Sequence, residues 1–189
     1  YVILMPSPPS PVRPDAERLA LLLEITERLH RVTAHMGTAL TIEDVGAIVV
    51  DEGTAALRAA SGALWRVDAA TQTLRLVRSV NYPTSALAAA ERIPIDPAIP
   101  VADAVVRGTP VWLSSRVDYE ARYPISAART REITSQGYSI AALPIKIGDE
   151  IHAVLVLTFF AERGFDADER MFLGFLAMHC AHGFERARL

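Results

Sequence analysis

The sequence predicts an α/β fold of the α+β kind, a central antiparallel sheet with helices to cover it. Three observations point there. Residues 139–161, SIAALPIKIGDEIHAVLVLTFFA, read as one β-hairpin: two apolar runs around a polar turn at Gly148, Asp149 and Glu150. Gly148 supplies the positive φ that short hairpin turns need. The second arm, Ile151 to Phe160, is apolar almost throughout, and an antiparallel strand that is apolar on both faces belongs in the middle of a sheet covered on both sides. Helical-period segments stand at both ends of the chain to provide cover.

The elements follow in order. Residues 1–14 hold prolines at 6, 8, 9, 11 and 14 and read as an extended, disordered leader. Residues 15–189 read as a single domain. A first helix runs from Asp15 to Met36 and stops at Gly37. Its Leu22, Ile25, Leu29, Val32 and Met36 keep a 3-4-3-4 spacing, the seam of a coiled coil, and Leu19 and Leu23 widen the stripe. Two readings stay open for that seam: a homodimer interface, or the face by which the helix packs on its own domain. Thr41 with Asp44 caps a second helix that continues to about Ala60. Gly62 marks a break, and strands at Ala63–Val67 and Leu74–Val80 form a second hairpin, although Val77 falls out of phase with the alternation.

The middle of the chain is less regular. Four prolines fall between Pro83 and Pro100, and a short helix, Val101–Arg107, ends at Gly108 with Pro110 beyond it. Val111–Leu113 is a short strand. Residues 116–136 read as polar, tyrosine-bearing loop with a helix at Ser126–Gln136, closed by Gly137. The last helix starts at Asp166, which pairs with Glu169 in the manner of a capping box, and runs to Leu189. Its Phe172, Phe175 and Leu176 form an apolar face that the sheet can cover only in part.

Composition narrows the function. Hydrophobic residues make up 51% of the 189, enough for one core without metal or disulfide. A net charge of −3 argues against a nucleic-acid surface. The single cysteine, Cys180, forms no internal disulfide. No apolar run reaches the ~18 residues of a membrane span, and no basic region precedes the apolar start. A cytoplasmic protein that binds neither nucleic acid nor membrane is expected.

Several segments in this order resemble the GAF domain, a bacterial sensory and regulatory module. They are Ser61–Trp65 opening the first strand, Ile93–Ile95, the helix end Val106–Val111, and the segment Gly137–Ile145. The Gly148 turn leading to Val154–Leu157 and the helix start Phe165–Glu169 complete the match, which spans about residues 20–187. The resemblance implies a GAF/PAS-like sheet of five to six strands. Helices would cover one face, and a crossover would cover the other over a ligand cleft. It also implies terminal signalling helices that pair in a homodimer and lead to a downstream effector domain in the same polypeptide. The chain ends inside its last helix with no C-cap, as a piece of a sensor histidine kinase or diguanylate cyclase would.

Catalytic chemistry finds no purchase in the residues. Asp44, Asp149, Glu150, Asp166 and Glu169 fall at caps and turns. There is no G-x-S-x-G and no phosphate-binding glycine loop. His179 and His182, three apart, lack the further ligands a metal needs, and His30, His35 and His152 select no partner. Cys180, mid-helix, reads as inert packing. Among members of the resembled family, the bilin-binding type attaches its chromophore through a cysteine in the crossover. The free-methionine sulfoxide reductases need several cysteines, and the cyclic-nucleotide binders carry an Asn-Lys-x-x-Phe-Asp-Glu motif. This chain has none of these. The expectation is no catalytic residue, no metal and no cofactor, with an unidentified small ligand at most; a ligand-free dimerisation scaffold is the alternative reading and an unrecognised enzyme the third. The ligand-pocket candidates are Trp65, Arg78, Tyr82, Trp112, Tyr119, Tyr123, Arg129 and Tyr138, with Arg131 beside them. The aromatics offer apolar bodies with polar heads, the arginines a partner for an anion, and boundary residues of an ordinary core would look the same.

Overall fold

The computed structural model describes residues 15–82, 90–129 and 138–187, apart from the side chains of residues 15, 17, 18, 21, 22, 25 and 129. The proline-rich leader and most of the helix expected at Ser126–Gln136 lie outside the described residues. The order is α1 (Asp15–Met36), α2 (Ile42–Ala56), β1 (Ser61–Asp68), β2 (Thr73–Val80) and β3 (Arg92–Pro94). Then come α3 (Pro100–Arg107), β4 (Val111–Leu113), α4 (Arg116–Arg122) and α5 (Pro124–Arg129). The hairpin β5 (Ser139–Ile147) and β6 (Glu150–Phe159) precedes α6 (Ala167–Ala187). The six strands form one sheet in the order β3-β2-β1-β6-β5-β4, and every neighbouring pair is antiparallel.

The 139–161 hairpin is the centre that its composition demands. β6 lies between β5 and β1, with Leu143 opposite Leu155 on one side and Leu64 opposite Leu155 on the other. Ala153, Leu155, Leu157 and Phe159 face a core shared with Val32, Met36, Val49, Phe172 and Leu176 of α1, α2 and α6. Val154 and Val156 face a second core with Trp65, Ala104, Leu113, Tyr119 and Tyr138. Both faces are therefore covered, by α1, α2 and α6 on one and by the crossover helices on the other. The turn runs through Gly148 at φ 60°, and Ile147 pairs with Glu150. The edge strands β3 and β4 are three residues each, short enough to limit pairing with other chains, and β3 ends on Pro94.

Four local expectations need correction. The helix expected to reach Ala60 ends at Ala56, with Leu57 as its C-cap. Arg58 turns left-handed at φ 52°. Alanine propensity would have carried the helix on, but the Ala60 N–H instead donates to the Thr158 carbonyl (2.8 Å), so sheet pairing overrides propensity. Gly62 is not a break but part of β1. A Cβ there would stand 2.3 Å from Thr54 Oγ1 and 3.0 Å from Leu157 Cδ2. Glycine is required because α2 crosses the strand this closely. The edge strand β3 and the helix α4, in a stretch expected to be loop, are additions. Ser115 caps α4 by accepting from the Asp118 N–H (3.1 Å).

Val77 explains its own phase error. Leu64 pairs with Arg78 and Trp65 with Leu76, which leaves Val77 as the extra residue of a β-bulge. Leu74 and Leu76 therefore face the crossover, and Val77 and Val80 face the helices. Two capping boxes hold as the sequence predicts. Thr41 Oγ1 accepts from the Asp44 N–H (3.1 Å) and Asp44 Oδ2 from the Thr41 N–H (3.0 Å). Asp166 Oδ1 accepts from the Glu169 N–H (2.9 Å) and Glu169 Oε2 from the Asp166 N–H (3.2 Å).

The close approach at Gly62 sets a test. Gly62→Ala forces its methyl onto Thr54 Oγ1 and should destabilise the fold by roughly 1–3 kcal/mol, the usual cost of overpacking a core. Urea unfolding followed by circular dichroism measures it. Unchanged stability would mean that α2 moves away from β1 at no cost.

Candidate functional site

The aromatic residues converge under the crossover. Trp65 rises from β1, Tyr82 follows β2, Tyr119 belongs to α4, Tyr123 caps its end, and Tyr138 leads into β5. All five pack in the core on the crossover face of the sheet. Trp65 and Tyr82 meet edge-on at 6.1 Å between centroids. Tyr119 lies 5.2 Å from Tyr138 and 6.2 Å from Tyr123. Alternation along the strands dictates this. Trp65 and Val156 take the crossover face, while Leu64 and Leu155 between them in register take the other.

Polar heads in this layer are held by specific partners. The Trp65 indole N–H donates to the Ala90 carbonyl (2.7 Å). The Tyr119 hydroxyl shares a hydrogen bond with Ser126 Oγ (2.7 Å). The Tyr123 hydroxyl donates to Asp103 Oδ2 (2.6 Å), and Asp103 Oδ1 accepts from Arg107 Nε (2.7 Å). Asp103 is a buried carboxylate, and two donors offset the cost of its burial. Burial pushes the Tyr82 phenol up to about 12, reinforced by Tyr119. Burial and then the bond to Asp103 push Tyr123 up to about 12. Tyr138 is raised further, first by burial, then by Tyr119 and Tyr82. These phenols stay protonated at neutral pH, and Tyr123 uses its O–H to donate to Asp103.

Three of the pocket candidates stand elsewhere or outside the described residues. Arg78 follows the Val77 bulge and forks onto Asp51 of α2, with Nη2 3.0 Å from each carboxylate oxygen. Trp112 turns to the helical face, 5.2 Å from Phe165 with the Arg170 guanidinium over its ring at 5.1 Å. The side chain of Arg129, and Arg131 altogether, lie outside the described residues. Sequence reasoning missed Asp103 and Arg116. The signal for Asp103 was its place among apolar residues of α3, four before Arg107; the signal for Arg116 was the tyrosine-bearing segment it opens.

The seam on α1 divides. Val32 and Met36 are buried in the domain's own core and Leu29 packs half-buried against it, so these three face inward rather than toward a second chain. The side chains of Leu22 and Ile25 lie outside the description. On the described parts of the two terminal helices, the exposed large apolar residues are Leu19 and Leu23 of α1 and Met171, Phe175 and Met178 of α6.

A concavity of about 830 Å³ opens on the helical side between α1, the end of α2 and the loop before α6. Size would favour it, but its chemistry is already committed. Arg163 pairs with buried Glu169, donates to the Leu57 carbonyl (3.4 Å) and stacks over Phe159 at 4.5 Å. This arrangement ties the β6–α6 loop down. Among the described residues no three metal-ligating side chains come together. His179 is held below its usual pKa by burial and then by His182. Cys180 is buried in the helical core, and burial raises its thiol pKa strongly, which suppresses the thiolate that redox or nucleophilic chemistry needs. Among the described residues no helix is long and apolar enough to cross a membrane.

The fold has solved counterparts. The GAF domain of a phosphoenolpyruvate-protein phosphotransferase from Coxiella burnetii superposes with a TM-score of 0.72 at 21% identity, covering 88% of this chain and 95% of that one. A free methionine-R-sulfoxide reductase from Neisseria meningitidis, solved with its substrate, gives 0.72 at 18% identity over 97% and 98%. Residues 122 to 287 of a methyl-accepting chemotaxis protein give 0.65 at 13% over 83% and 96%. At such identities the likeness concerns the fold. No curated protein sequence matches the chain. The family model described as GAF domain matches residues 39–185, which hold the sheet, the aromatic cluster and every helix but α1, and the chain belongs to the GAF domain family.

Proposed function

We propose that this GAF domain senses a small molecule without transforming it, as the input module of a larger bacterial signal-transduction protein such as a sensor histidine kinase. The observation that carries this reading is the cluster of Tyr82, Tyr119, Tyr123 and Tyr138 with Trp65 inside the crossover layer. A core needs apolar volume there, not four phenols; polar heads set in an apolar wall are how ligand sites obtain specificity. The carboxylates point the same way. Asp44, Asp166 and Glu169 serve as helix caps, and Asp103 is occupied by Tyr123 and Arg107. None of these four is left as an acid or base. A chemotaxis protein among the similar folds agrees with a sensory role. The similar sulfoxide reductase does not bring its activity along, since the one cysteine here is buried.

A second reading has its own observation. Trp65, Tyr119 and Tyr123 already find partners within the protein, as they would in a ligand-free dimerisation scaffold whose cleft its own side chains fill. Native mass spectrometry of the protein from its source cells, followed by a thermal-shift screen of soluble metabolites, separates the two. The sensing reading expects a non-covalent adduct, or a compound that raises Tm and returns unaltered. A protein free of adducts that no metabolite stabilises would leave the scaffold.

We also propose a cytoplasmic homodimer through the terminal helices, with the effector domain in the same polypeptide. Met171, Phe175 and Met178 are exposed at i, i+4 and i+7 on α6, and Leu19 and Leu23 at i, i+4 on α1. These are apolar rows on two helices that pack together on one side of the domain. The interface is thereby shifted from the Val32 and Met36 end of α1 to its start and to α6. Met171→Glu with Phe175→Glu should give a folded monomer by light scattering. A wild-type protein that is monomeric, or a double variant that stays dimeric, would refute this interface.

A further inference from the structure

Among the described residues, the crossover layer contains one buried side-chain donor that the protein does not use. Arg116, at the start of α4, is 15% exposed. Its Nε donates to Glu120 Oε1 (2.9 Å) and its Nη2 to the Ala127 carbonyl (3.0 Å). Its Nη1 is fully buried and has no hydrogen-bond partner. A guanidinium cannot escape by losing its proton, and a buried charged donor without an acceptor is costly. The other described arginines nearby are spent at the surface: Arg107 on Asp103, Arg122 on the Trp112 carbonyl.

The surroundings of Arg116 are specific. Its positive charge acts on the Tyr138 phenol, which also feels Tyr82 and Tyr119 and is bonded to Thr158. The contacts place them together: Arg116 Nη2 holds the Ala127 carbonyl (3.0 Å), the adjacent Ser126 Oγ meets the Tyr119 hydroxyl (2.7 Å), and the Tyr119 ring lies 5.2 Å from Tyr138. The core they belong to is otherwise apolar and includes Trp65, Leu113, Ala127, Ile140 and Val156. We propose that this region binds a small monocarboxylic acid with an apolar tail, its carboxylate accepting from Arg116 Nη1 and from the neighbouring tyrosine hydroxyls. This rests on the reading of the chain as a ligand sensor and names the class of ligand.

Charge selects a carboxylate over a phosphate. The unfilled capacity is one edge of one guanidinium, already paired with Glu120 on its other side, and the remaining donors are neutral phenols. A doubly charged anion would bring more charge than one half-offset cation can match. The apolar core selects a ligand whose remainder prefers to leave water.

Isothermal titration with acetate, butyrate and phenylacetate, and with butyramide and phenylacetamide as uncharged counterparts, tests this on the whole chain. The acids with apolar tails should bind and the matching amides should bind roughly ten- to a hundredfold more weakly, as loss of a charge-assisted bond implies. Arg116→Gln should weaken phenylacetate by a similar factor, and Tyr138→Phe by less. Should Arg116→Gln not fold, the acid-to-amide ratio on the wild-type protein decides alone. Equal affinity for acid and amide, or an unchanged affinity in a folded Arg116→Gln, overturns the proposal. So does binding of neutral metabolites alone, which would leave the sensor reading standing. If no acid and no metabolite binds, both fail.

Discussion

Everything in this domain answers to the burial of β6 on both faces. A strand that places Leu155, Leu157 and Phe159 on one side and Val154 and Val156 on the other cannot exist with one side in water. Each such side chain gains roughly 1.5–3 kcal/mol only when it is fully covered. The chain must therefore supply two separate layers. α1, α2 and α6 form one, and the crossover helices form the other. The short edge strands, the two capping boxes and the Arg163 tie are means of bringing those layers onto the sheet.

The two layers are chemically different, and that difference carries the functional argument. The helical layer is packed with aliphatic side chains, phenylalanines and a buried thiol, and its buried charge, Glu169, is matched by Arg163. The crossover layer buries Asp103, several phenols and the guanidinium of Arg116. A polar group inside a core is a cost unless bonded. In the crossover layer most of that cost is offset by internal bonds, and the part that is not lies at Arg116 Nη1. The helical side has unmatched oxygens of its own, Glu52 Oε2 and Thr54 Oγ1 of α2, but there the carboxylate faces the Arg28 guanidinium at 3.5 Å.

Much of the architecture was legible because it rests on periodicity. The apolar hairpin, the capping pairs Thr41–Asp44 and Asp166–Glu169, and the alternation of Leu74 and Leu76 are local statements that tertiary structure respects. What escaped was set by non-local contact. Gly62 looked like a breaker because its reason, Thr54 Oγ1 standing where a Cβ would go, lies on another element. Helix α2 stopped short because Ala60 was needed by Thr158. Val77 was correctly seen as out of phase, yet only pairing with β1 shows the anomaly to be a bulge. The same bulge carried Arg78 to Asp51 and away from the candidate site. Trp112 was lost for a related reason: three residues of edge strand give too little alternation to tell which face a side chain takes. Asp103 and Arg116 left only weak local signals, a charge among apolar residues and the start of a tyrosine-bearing segment, because burial of a charge is decided by non-local packing.

Geometry also constrains how occupancy of the crossover layer would be felt elsewhere. Tyr138 and Thr158 are joined on the crossover face, and Thr158 is flanked on β6 by Leu157 and Phe159, which face the helical core. A strand is stiff along its length, and its alternate side chains are fixed to one backbone. A ligand oxygen that drew on Arg116 and the Tyr138 phenol would act on the Thr158 contact, and through the same strand on the packing of Leu157 against α2 and α6. Interiors at crystal-like density do not absorb such shifts smoothly. A ligand shifts such packing only to the extent that it binds one arrangement more tightly than another. The helix on the receiving side is α6, the element whose exposed Met171, Phe175 and Met178 row a partner would cover. Sensing and dimerisation would then meet at one helix, with the sheet between the ligand and the interface.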